Sequence, residues 1–395
     1  MGSIMNRKEW IKSGGALLAG GISMATLGFA PKERNIEEIK RNLKSSRKFV
    51  SDQDFLKTLP IDEPKIIRLM ANENPFGPSP KAKEAFIKAL EKGYQYSFRE
   101  GEAFVDRIAY QENVKVENVL MTAGSSDVLT ACGIYYTKMG GNIISGDPSY
   151  SDMPSFAEEL GAEVRWVPLT SEYKLDLKAM EAKIDENTKL VYLVNPNNPT
   201  ATILETEELK SFCKRVSKKA TVFIDEAYIE YLDDPDTASM ISLVGEGYDV
   251  IVARTFSKLY GFAGLRMGYA IASKENIEIL YNNCRGFMGI TGPTIAAADA
   301  AYLDMEFLNS AKTKTFESKE YLYKVLEAEG YSYIPSSANF VMFPLNMKGP
   351  RFSQEMGKRG VAVRNWQFND KQWCRVSIGT MPQMEAFAKA FQQIS

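Results

Sequence analysis

The 395-residue sequence contains no histidine. This absence excludes Ser-His-Asp triads, Cys-His dyads and every metal site that needs a histidine ligand. Proton transfer must therefore depend on Lys, Tyr, Asp, Glu or Cys side chains, or on a cofactor. Cysteine is also scarce, and no CxxC pair occurs among Cys132, Cys213, Cys284 and Cys374. We therefore expect no metal site or redox motif and interpret these residues as buried free thiols.

A surplus of charge of either sign is missing as well. The sequence has 48 Lys and Arg residues against 50 Asp and Glu residues, which gives a formal net charge of −2. A nucleic-acid partner is not expected, because such proteins usually carry a basic surplus on one face. The length is enough for two lobes around a sizeable core, so a small-molecule ligand between lobes is the more natural expectation.

Residues 1–30 differ in composition from the rest of the chain. The basic residues Arg7, Lys8 and Lys12 precede an uncharged stretch rich in Gly, Ala and Leu. This layout is typical of a secretory signal, and it resembles a twin-arginine signal in which Lys8 replaces the second arginine. The stretch is short and glycine-rich for a membrane span. We therefore predict export to the periplasm without a stable membrane anchor; the alternative is a cytoplasmic protein with an N-terminal tail.

Short apolar runs alternate with amphipathic helical stretches from about residue 81. Each run is followed at once by polar or turn residues; the runs lie at 118–124, 142–150, 190–200, 221–228 and 249–258. This alternation predicts an α/β fold with a mostly parallel sheet that helices cover on both faces. Ligands of such folds bind beyond the carboxyl ends of the strands, so the polar residues there should converge on one site.

The pattern divides the rest of the chain into three further parts. Residues 31–80 are predicted to form an arm, and residues 81–285 a large cofactor-binding domain. Residues 286–395 are predicted to form a smaller α+β domain, because a long helical region precedes three strand-like runs and a closing helix. The arm is expected to pack with the small domain, and a cleft between the two domains is the natural ligand site.

One block combines a lysine with groups that suit a phosphate. Lys258 follows an apolar run and precedes glycine-rich turns in the segment TFSKLYGFAGLRMGY. Thr255 and Ser257 supply hydroxyls, and Arg266 supplies a guanidinium, which together make a phosphate clamp. We therefore interpret Lys258 as the residue that carries pyridoxal phosphate (PLP) as a Schiff base, with the other three residues binding the cofactor.

PLP chemistry also needs an acid beside the pyridine nitrogen. Asp225 ends the run TVFID, where a buried carboxylate is costly unless it is paired, and a pyridinium is a suitable partner. Tyr228 and Asn198 are predicted to hydrogen-bond the ring oxygen O3′. Lys258, Asp225 and Tyr228 are thus the predicted catalytic residues. Alone, Asp225 would equally be a helix cap, and Asn-Pro turns such as that at Asn198 are common.

Three further residues are candidates for cofactor binding. Ser125 and Ser126 follow Gly124 at an apparent helix start, where hydroxyls and backbone N–H groups make a phosphate site. An ordinary helix cap is the alternative. Tyr150 follows another apolar run and could stack on the cofactor ring; the alternative is a core tyrosine.

These blocks together resemble the class I/II aminotransferases, most closely the histidinol-phosphate aminotransferases. The matching segments are ANENPFGPSP, VNPNNPT, FIDEAY, TFSKLYGFAGLRMGY and VRNW…CRVSIGT, between about residue 66 and the C-terminus. The resemblance implies the fold of type I PLP-dependent transferases, with a seven-stranded sheet, in a homodimer with shared active sites. It also implies transfer of an amino group between an amino acid, histidinol-phosphate-like or aromatic, and a 2-oxo acid.

The resemblance also implies roles for residues that the local patterns do not single out. Tyr96 occupies the place of the tyrosine that reaches the PLP phosphate of the neighbouring subunit. Arg375 matches the arginine that binds the substrate α-carboxylate, and Arg364 matches one that lines the side-chain pocket. Asn72 and Asn74 lie in the arm near the substrate.

Two other functions stay open at this point. Threonine-phosphate decarboxylases closely resemble this family, so a PLP-dependent lyase is one alternative, and a non-catalytic binding protein of the same fold is the second. The chain departs from the family at Ala201, where glycine is usual, and at Ser97, where proline is usual. These departures leave the PLP chemistry intact and bear on the substrate.

Overall fold

The computed structural model describes residues 66–394. The predicted export leader and most of the arm lie outside these residues. Export therefore stays a prediction, which N-terminal sequencing of the mature protein from its host would test. Within residues 66–394, no helix is long and apolar enough to cross a membrane.

The secondary structure alternates between strands and helices through most of the chain. The strands are β1 (Ile67–Arg68), β2 (Val119–Thr122), β3 (Asn142–Asp147), β4 (Glu163–Pro168), β5 (Thr188–Val194), β6 (Thr221–Asp225), β7 (Val250–Thr255), β8 (Gly268–Ile271), β9 (Phe340–Leu345), β10 (Val361–Ala362), β11 (Arg364–Phe368) and β12 (Lys371–Ser377). The helices are α1 (Pro80–Ala89), α2 (Phe98–Gln111), α3 (Ser125–Lys138), α4 (Asp152–Leu160), α5 (Leu177–Ala182), α6 (Thr206–Val216), α7 (Pro235–Ala238), α8 (Ile241–Gly245), α9 (Lys274–Tyr281), α10 (Gly292–Tyr302), α11 (Met305–Ala328), α12 (Gly349–Lys358) and α13 (Met381–Phe391). Short 3-10 turns occur at Leu90–Lys92, Val116–Asn118, Ile229–Tyr231 and Gly286–Gly289.

The large sheet has seven strands in the order β2-β8-β7-β6-β5-β3-β4. All neighbours are parallel except at β8, which is antiparallel to both β2 and β7. This confirms the predicted mostly parallel sheet, and each of the five predicted runs overlaps a strand. The runs did not include β4, which lies at the edge and is half-exposed, or β8, which follows the glycine-rich turns.

Helices cover both faces of this sheet, as the continuous apolar strands require. One face packs against a core that contains Phe104, Phe212 and Phe256, and the other against a core that contains Leu129 and Tyr192. Apolar residues of α10 belong to the first of these cores. The boundary at 285/286 stays a prediction, but this part of the C-terminal segment packs with the sheet.

A second, smaller sheet lies near the C-terminus. Strands β11, β12 and β9 are antiparallel in that order, and β9 and β12 share a core with α11, α12 and α13. The described end of the arm joins this region, because β1 pairs in parallel with β10 and Leu69 is buried in the same core. The described end of the arm therefore packs with the small sheet.

A buried ion-pair network supports the strands that carry the site. Arg254, in β7, contacts Glu226 at 3.1 Å and Glu112 at 2.9 Å, and the hydroxyl of Tyr269 donates to Glu112 at 2.6 Å. Successive strand residues point to opposite faces. Arg254 and its partners therefore lie on the face opposite to that of Thr255, where the two carboxylates offset the buried guanidinium charge.

Candidate active site

The carboxyl ends of three neighbouring strands bring the predicted residues together. Asp225 ends β6, Thr255 ends β7, and Asn198 follows the end of β5. The strands are parallel and in register, with Val194 opposite Asp225 and Asp225 opposite Ala253. The polar residues therefore meet at one edge of the sheet, as the sequence predicts for this fold.

Asp225 is buried, with 2% of its surface exposed. Its carboxylate accepts hydrogen bonds from the backbone N–H of Ala227 at 3.0 Å and from the hydroxyl of Tyr192 at 3.4 Å. Burial raises the pKa of Asp225 from 3.8 to about 6, although the Ala227 N–H and the Lys258 ammonium oppose this shift. A cation beside the carboxylate would keep it ionised, which is what a protonated pyridine nitrogen supplies.

Tyr228 is the centre of a buried hydrogen-bond network. Its hydroxyl accepts from the side-chain amides of Asn72 at 3.0 Å and Asn198 at 3.4 Å. The side-chain carbonyl of Asn198 in turn accepts a hydrogen bond from the Arg375 guanidinium at 2.7 Å. The side-chain carbonyl of Asn72 accepts one from the Ser377 hydroxyl at 2.9 Å. The arm, the turn after β5 and strand β12 are thus connected at one hydroxyl.

Lys258 lies beside this network. Its ammonium nitrogen Nζ is 5.2 Å from the centre of the Tyr228 ring. The loop that carries the lysine is held by the arm, because the Asn74 amide donates to the Leu259 carbonyl at 2.6 Å. Gly261 has a φ of +78°, and a Cβ there would lie 2.4 Å from the backbone of Gly77. A glycine is therefore required where the loop meets the arm.

An anion cradle lies next to the lysine. Thr255 donates to the Ser257 hydroxyl at 3.0 Å, and the Arg266 guanidinium donates to the same hydroxyl at 3.1 Å. Gly124 has a φ of +83°, and a Cβ there would lie 2.4 Å from an Arg266 nitrogen. The missing side chain lets the guanidinium lie against the turn before α3, where helix N–H groups also favour an anion.

The two serines at this turn differ in position. Ser125 is the first residue of α3 and half-buried, whereas Ser126 is exposed. Gly124 precedes the helix and provides no side-chain cap, so the first N–H groups of α3 remain available to a ligand. The geometry favours Ser125 over Ser126 as a phosphate contact, and both roles stay predictions.

Tyr150 and Arg364 are the next two predicted site residues. The Tyr150 hydroxyl donates to the carboxylate of Asp152, the first residue of α4. Arg364 lies opposite Arg375 in the β11–β12 pair, and the centre of its guanidinium is 5.4 Å from the Trp366 ring. Arg375 itself is 2% exposed.

Tyr96 does not belong to this cluster within its own chain. Its side chain is 75% exposed, and its ring lies 5.7 Å from that of Phe98. Among residues 66–394, no hydrogen bond or ring contact joins it to the groups around Lys258. A role in the cofactor site would therefore need a second copy of the chain.

Sequence reasoning missed two residues of the site. Tyr192 lies inside β5, and only the alternation of side chains along the strand indicates that it points toward Asp225. Asp152 follows Tyr150 by two residues and has the appearance of an ordinary residue in the first turn of a helix. The only signal was its position directly after a predicted strand end.

The residues present fit PLP. A buried carboxylate needs a cation, a glycine-lined turn with a guanidinium needs an anion, and a lysine lies beside Tyr228 in the same cluster. The pyridine nitrogen, the phosphate and the aldehyde carbon of PLP meet these three requirements. Asp225 would hold the pyridine nitrogen, and the cradle at Arg266 would hold the phosphate. Lys258 would hold the aldehyde carbon.

Comparison with known proteins decides the family. The family described as "Aminotransferase class I and II" matches residues 64–391. The chain belongs to this family. It is 34% identical over 331 residues to a histidinol-phosphate aminotransferase from Moorella thermoacetica, covering 83% of this chain and 85% of that protein. The chain is therefore a PLP-dependent aminotransferase, as the resemblance implied.

Solved structures agree with this assignment. A candidate histidinol-phosphate aminotransferase from Erwinia carotovora atroseptica is 30% identical, has a TM-score of 0.80, and is covered over 98% of its chain and 85% of this one. The histidinol-phosphate aminotransferase from Sinorhizobium meliloti in complex with pyridoxal-5′-phosphate has a TM-score of 0.75 at 23% identity, with 97% of its chain and 86% of this one covered. The predicted fold of type I PLP-dependent transferases is confirmed.

Proposed function

We propose that this aminotransferase moves an amino group between an amino acid, histidinol-phosphate-like or aromatic, and a 2-oxo acid in a ping-pong reaction. One observation carries the proposal: the buried guanidinium of Arg375 lies within the same hydrogen-bond network as Tyr228, next to Lys258. A fixed guanidinium in the network beside a reactive lysine suits a carboxylate attached to the carbon that reacts.

The residues divide the work among distinct atoms. PLP, when bound, withdraws electrons from the reacting carbon through its ring. Lys258 Nζ removes the Cα proton of the amino acid and later returns a proton, as general base and acid. The Asp225 carboxylate would hold negative charge beside the ring nitrogen, and Tyr228 and Asn198 would hold the ring oxygen.

Arg375 orients the substrate because its own position is fixed. One guanidinium nitrogen donates to the side-chain carbonyl of Asn198, and the other donates to the backbone carbonyl of Met70, each at 2.7 Å. The ring of Phe340 lies 5.4 Å from the guanidinium carbon. These contacts limit its motion, so little entropy is lost when a carboxylate binds.

Replacing Arg375 with lysine tests the proposal. Lysine keeps the positive charge but loses the two-pronged geometry, so the KM should rise for every amino acid by about 10- to 100-fold. The measurement is a screen of amino acids for 2-oxo-acid production by the wild-type and Arg375→Lys proteins. The Arg351→Lys protein is the control, because Arg351 is exposed on α12.

Product analysis in the same screen separates the alternatives. Formation of an amine and carbon dioxide without an oxo acid would favour a PLP-dependent lyase. Unchanged KM values in the Arg375→Lys protein would contradict the assigned carboxylate site.

We also propose a homodimer in which each subunit completes the site of the other. Aromatic and apolar side chains are exposed around Tyr96: Tyr94 is 83% exposed, Phe98 53% and Met288 54%. A contiguous apolar surface of this kind commonly marks a protein interface. A partner at this surface would bury these side chains and could receive the Tyr96 hydroxyl at its cofactor phosphate.

Complementation tests the shared site. Tyr96→Ala and Lys258→Ala proteins should each be impaired, but a mixed dimer would contain one intact site if Tyr96 acts on the neighbouring subunit. Random mixing should then restore about a quarter of the wild-type activity per subunit. No recovery on mixing, with dimers present by sedimentation, would place Tyr96 outside the partner's site.

A further inference from the structure

The Tyr228 hydroxyl receives two hydrogen bonds from the protein. A tyrosine hydroxyl has one proton to donate and two positions that accept. The amides of Asn72 and Asn198 donate to it at 3.0 Å and 3.4 Å, and they thereby occupy both accepting positions. Among residues 66–394, no hydrogen bond takes the Tyr228 proton itself. The hydroxyl can therefore act as a donor to a ligand in the cleft.

Arg375 determines which end of the Asn198 amide meets Tyr228. The oxygen and nitrogen ends of an asparagine amide are told apart by their hydrogen-bond partners. A guanidinium only donates, so the Asn198 atom that it contacts at 2.7 Å must be the amide oxygen. The nitrogen end of this amide is therefore the end that faces Tyr228.

Ser377 has the same effect on Asn72, although a hydroxyl can both donate and accept. The Ser377 hydroxyl accepts from the backbone N–H of Asn72 at 2.7 Å, so its own proton is directed elsewhere. It donates to the side-chain carbonyl of Asn72 at 2.9 Å. The nitrogen end of this amide therefore also faces Tyr228. Asn72 and Ser377 are 1% and 2% exposed, so water does not compete for these bonds.

The backbone around Asn72 is held as firmly as its side chain. Asn72 has a φ of +54°, in the left-handed region that asparagine tolerates better than most residues. Its backbone carbonyl accepts from the Asn339 amide at 3.1 Å, and the Ser377 N–H donates to the Leu69 carbonyl at 2.8 Å. The arm and β12 are thus joined on both sides of this amide, which fixes its position.

We propose that Ser377 and Asn72 are positioning residues that hold the Tyr228 hydroxyl as a proton donor to the ring oxygen of PLP. The inference rests on the proposed function, in which Tyr228 holds that oxygen. Hydrogen bonds in a chain polarise one another, so the amide that donates to Tyr228 strengthens the donation by Tyr228. Neither Ser377 nor Asn72 needs to touch the cofactor for this effect.

The protonation of the bound cofactor reports this donation. A strong donor stabilises negative charge on the ring oxygen, so the nearby Schiff-base nitrogen holds its proton less tightly. The visible absorbance of lysine-bound PLP depends on that proton and changes with pH about a midpoint. Weaker donation by Tyr228 should therefore raise this midpoint.

The pH midpoint of the visible absorbance of the PLP-loaded proteins tests the proposal without turnover. Asn72→Gly removes the amide and suits the positive φ, because glycine adopts that region readily. Ser377→Ala removes only the hydroxyl that orients the amide. All variants keep the charged groups that converge on the cofactor, namely Lys258, Asp225, Arg266 and Arg375.

Each removal is expected to raise the midpoint. Tyr228→Phe should raise it by about 1 to 2 pH units, the effect of one hydrogen bond to a charged group. Asn72→Gly should raise it by about 0.5 to 1 unit, and Ser377→Ala by less. Ser377→Thr keeps the hydroxyl and should stay within about 0.2 unit of the wild type. The matched control is Ser353→Ala, which should change nothing, because the buried Ser353 bonds the Asn365 amide instead.

A double-mutant cycle decides whether Asn72 acts through Tyr228. In the Tyr228→Phe background, Asn72→Gly and Ser377→Ala should each add less than about 0.2 unit, because no hydroxyl is left to orient. Equal shifts in both backgrounds would mean that Asn72 acts on the cofactor directly, which overturns the proposal. Unchanged midpoints in the two single variants would overturn it as well. Ser377→Ala and Ser377→Thr carry the test by themselves if Asn72→Gly does not fold.

The inference and the proposed function fail in different ways. An unchanged midpoint in the Tyr228→Phe protein would remove Tyr228 from the ring oxygen and overturn the inference, even if amino acids still yield oxo acids. If the midpoints shift as expected but no amino acid yields an oxo acid, the proposed function fails while the role of Ser377 and Asn72 stands.

Discussion

Replacing Lys258 with alanine should lower turnover by about 10⁴-fold or more, because the general base and the covalent attachment of the cofactor are lost together. The cofactor should still bind, since Arg266, Ser257 and the turn at Gly124 are untouched. The measurements are steady-state oxo-acid production and the visible absorbance of the dialysed protein. Borohydride should fix the cofactor to the wild-type chain and fail to fix it to the Lys258→Ala chain.

A surface lysine provides the control for this change. Lys274 is exposed at the start of α9, so Lys274→Ala removes the same group without touching the cleft. Its turnover and its absorbance should match those of the wild-type protein. Near-normal turnover in the Lys258→Ala protein would contradict the assignment of this lysine.

Replacing Asp225 with asparagine should have opposite effects on activity and on stability. With the cofactor bound, turnover should fall by about 10³-fold, because the charge that supports the electron-poor ring is lost. Without the cofactor, the same change should stabilise the fold. Burial raises the pKa of Asp225 to about 6, so the ionised carboxylate is unfavourable in the folded chain above that pH.

The sign of the pH dependence follows from proton binding. Between pH 4 and pH 6 the folded, cofactor-free chain holds a proton on Asp225 that the unfolded chain has released, so its stability decreases as pH rises through this range. The free energy of unfolding of the Asp225→Asn protein should exceed that of the wild type by about 3 kcal/mol at pH 8 and by about half of that at pH 5.

Urea unfolding of both cofactor-free proteins at the two pH values measures this difference. Asp236→Asn removes an exposed carboxylate and should change stability by less than about 0.5 kcal/mol. A less stable Asp225→Asn protein at pH 8 would show that Asp225 has a stabilising partner without the cofactor.

Much of the fold could be predicted from the order of apolar runs and turns. The run TVFID became β6 with every residue buried, and the run before Lys258 became β7. Strands buried on both faces have no alternation of polar and apolar residues, which makes them visible as continuous runs. The edge strand β4 was missed because it is half-exposed, so its apolar pattern is weaker.

The cofactor residues could also be predicted, because they lie in short segments that combine a strand end with a polar side chain. Asp225, Asn198 and Thr255 come from three such segments, and parallel strands bring such ends to one edge. The partners of these residues could not be predicted in the same way. Tyr192 reaches Asp225 from inside a strand, and Asn72 reaches Tyr228 across 156 positions of the chain.

The sequence by itself determined the chemistry, because a lysine, an acid and a phosphate cradle are properties of residue type and local order. The tertiary structure alone decided the electrostatics around that chemistry. Burial sets the pKa of Asp225, and the missing side chain at Gly124 lets Arg266 reach the cradle. Desolvation and distance between charges are properties of the packed chain, so the substrate pocket became visible only in three dimensions.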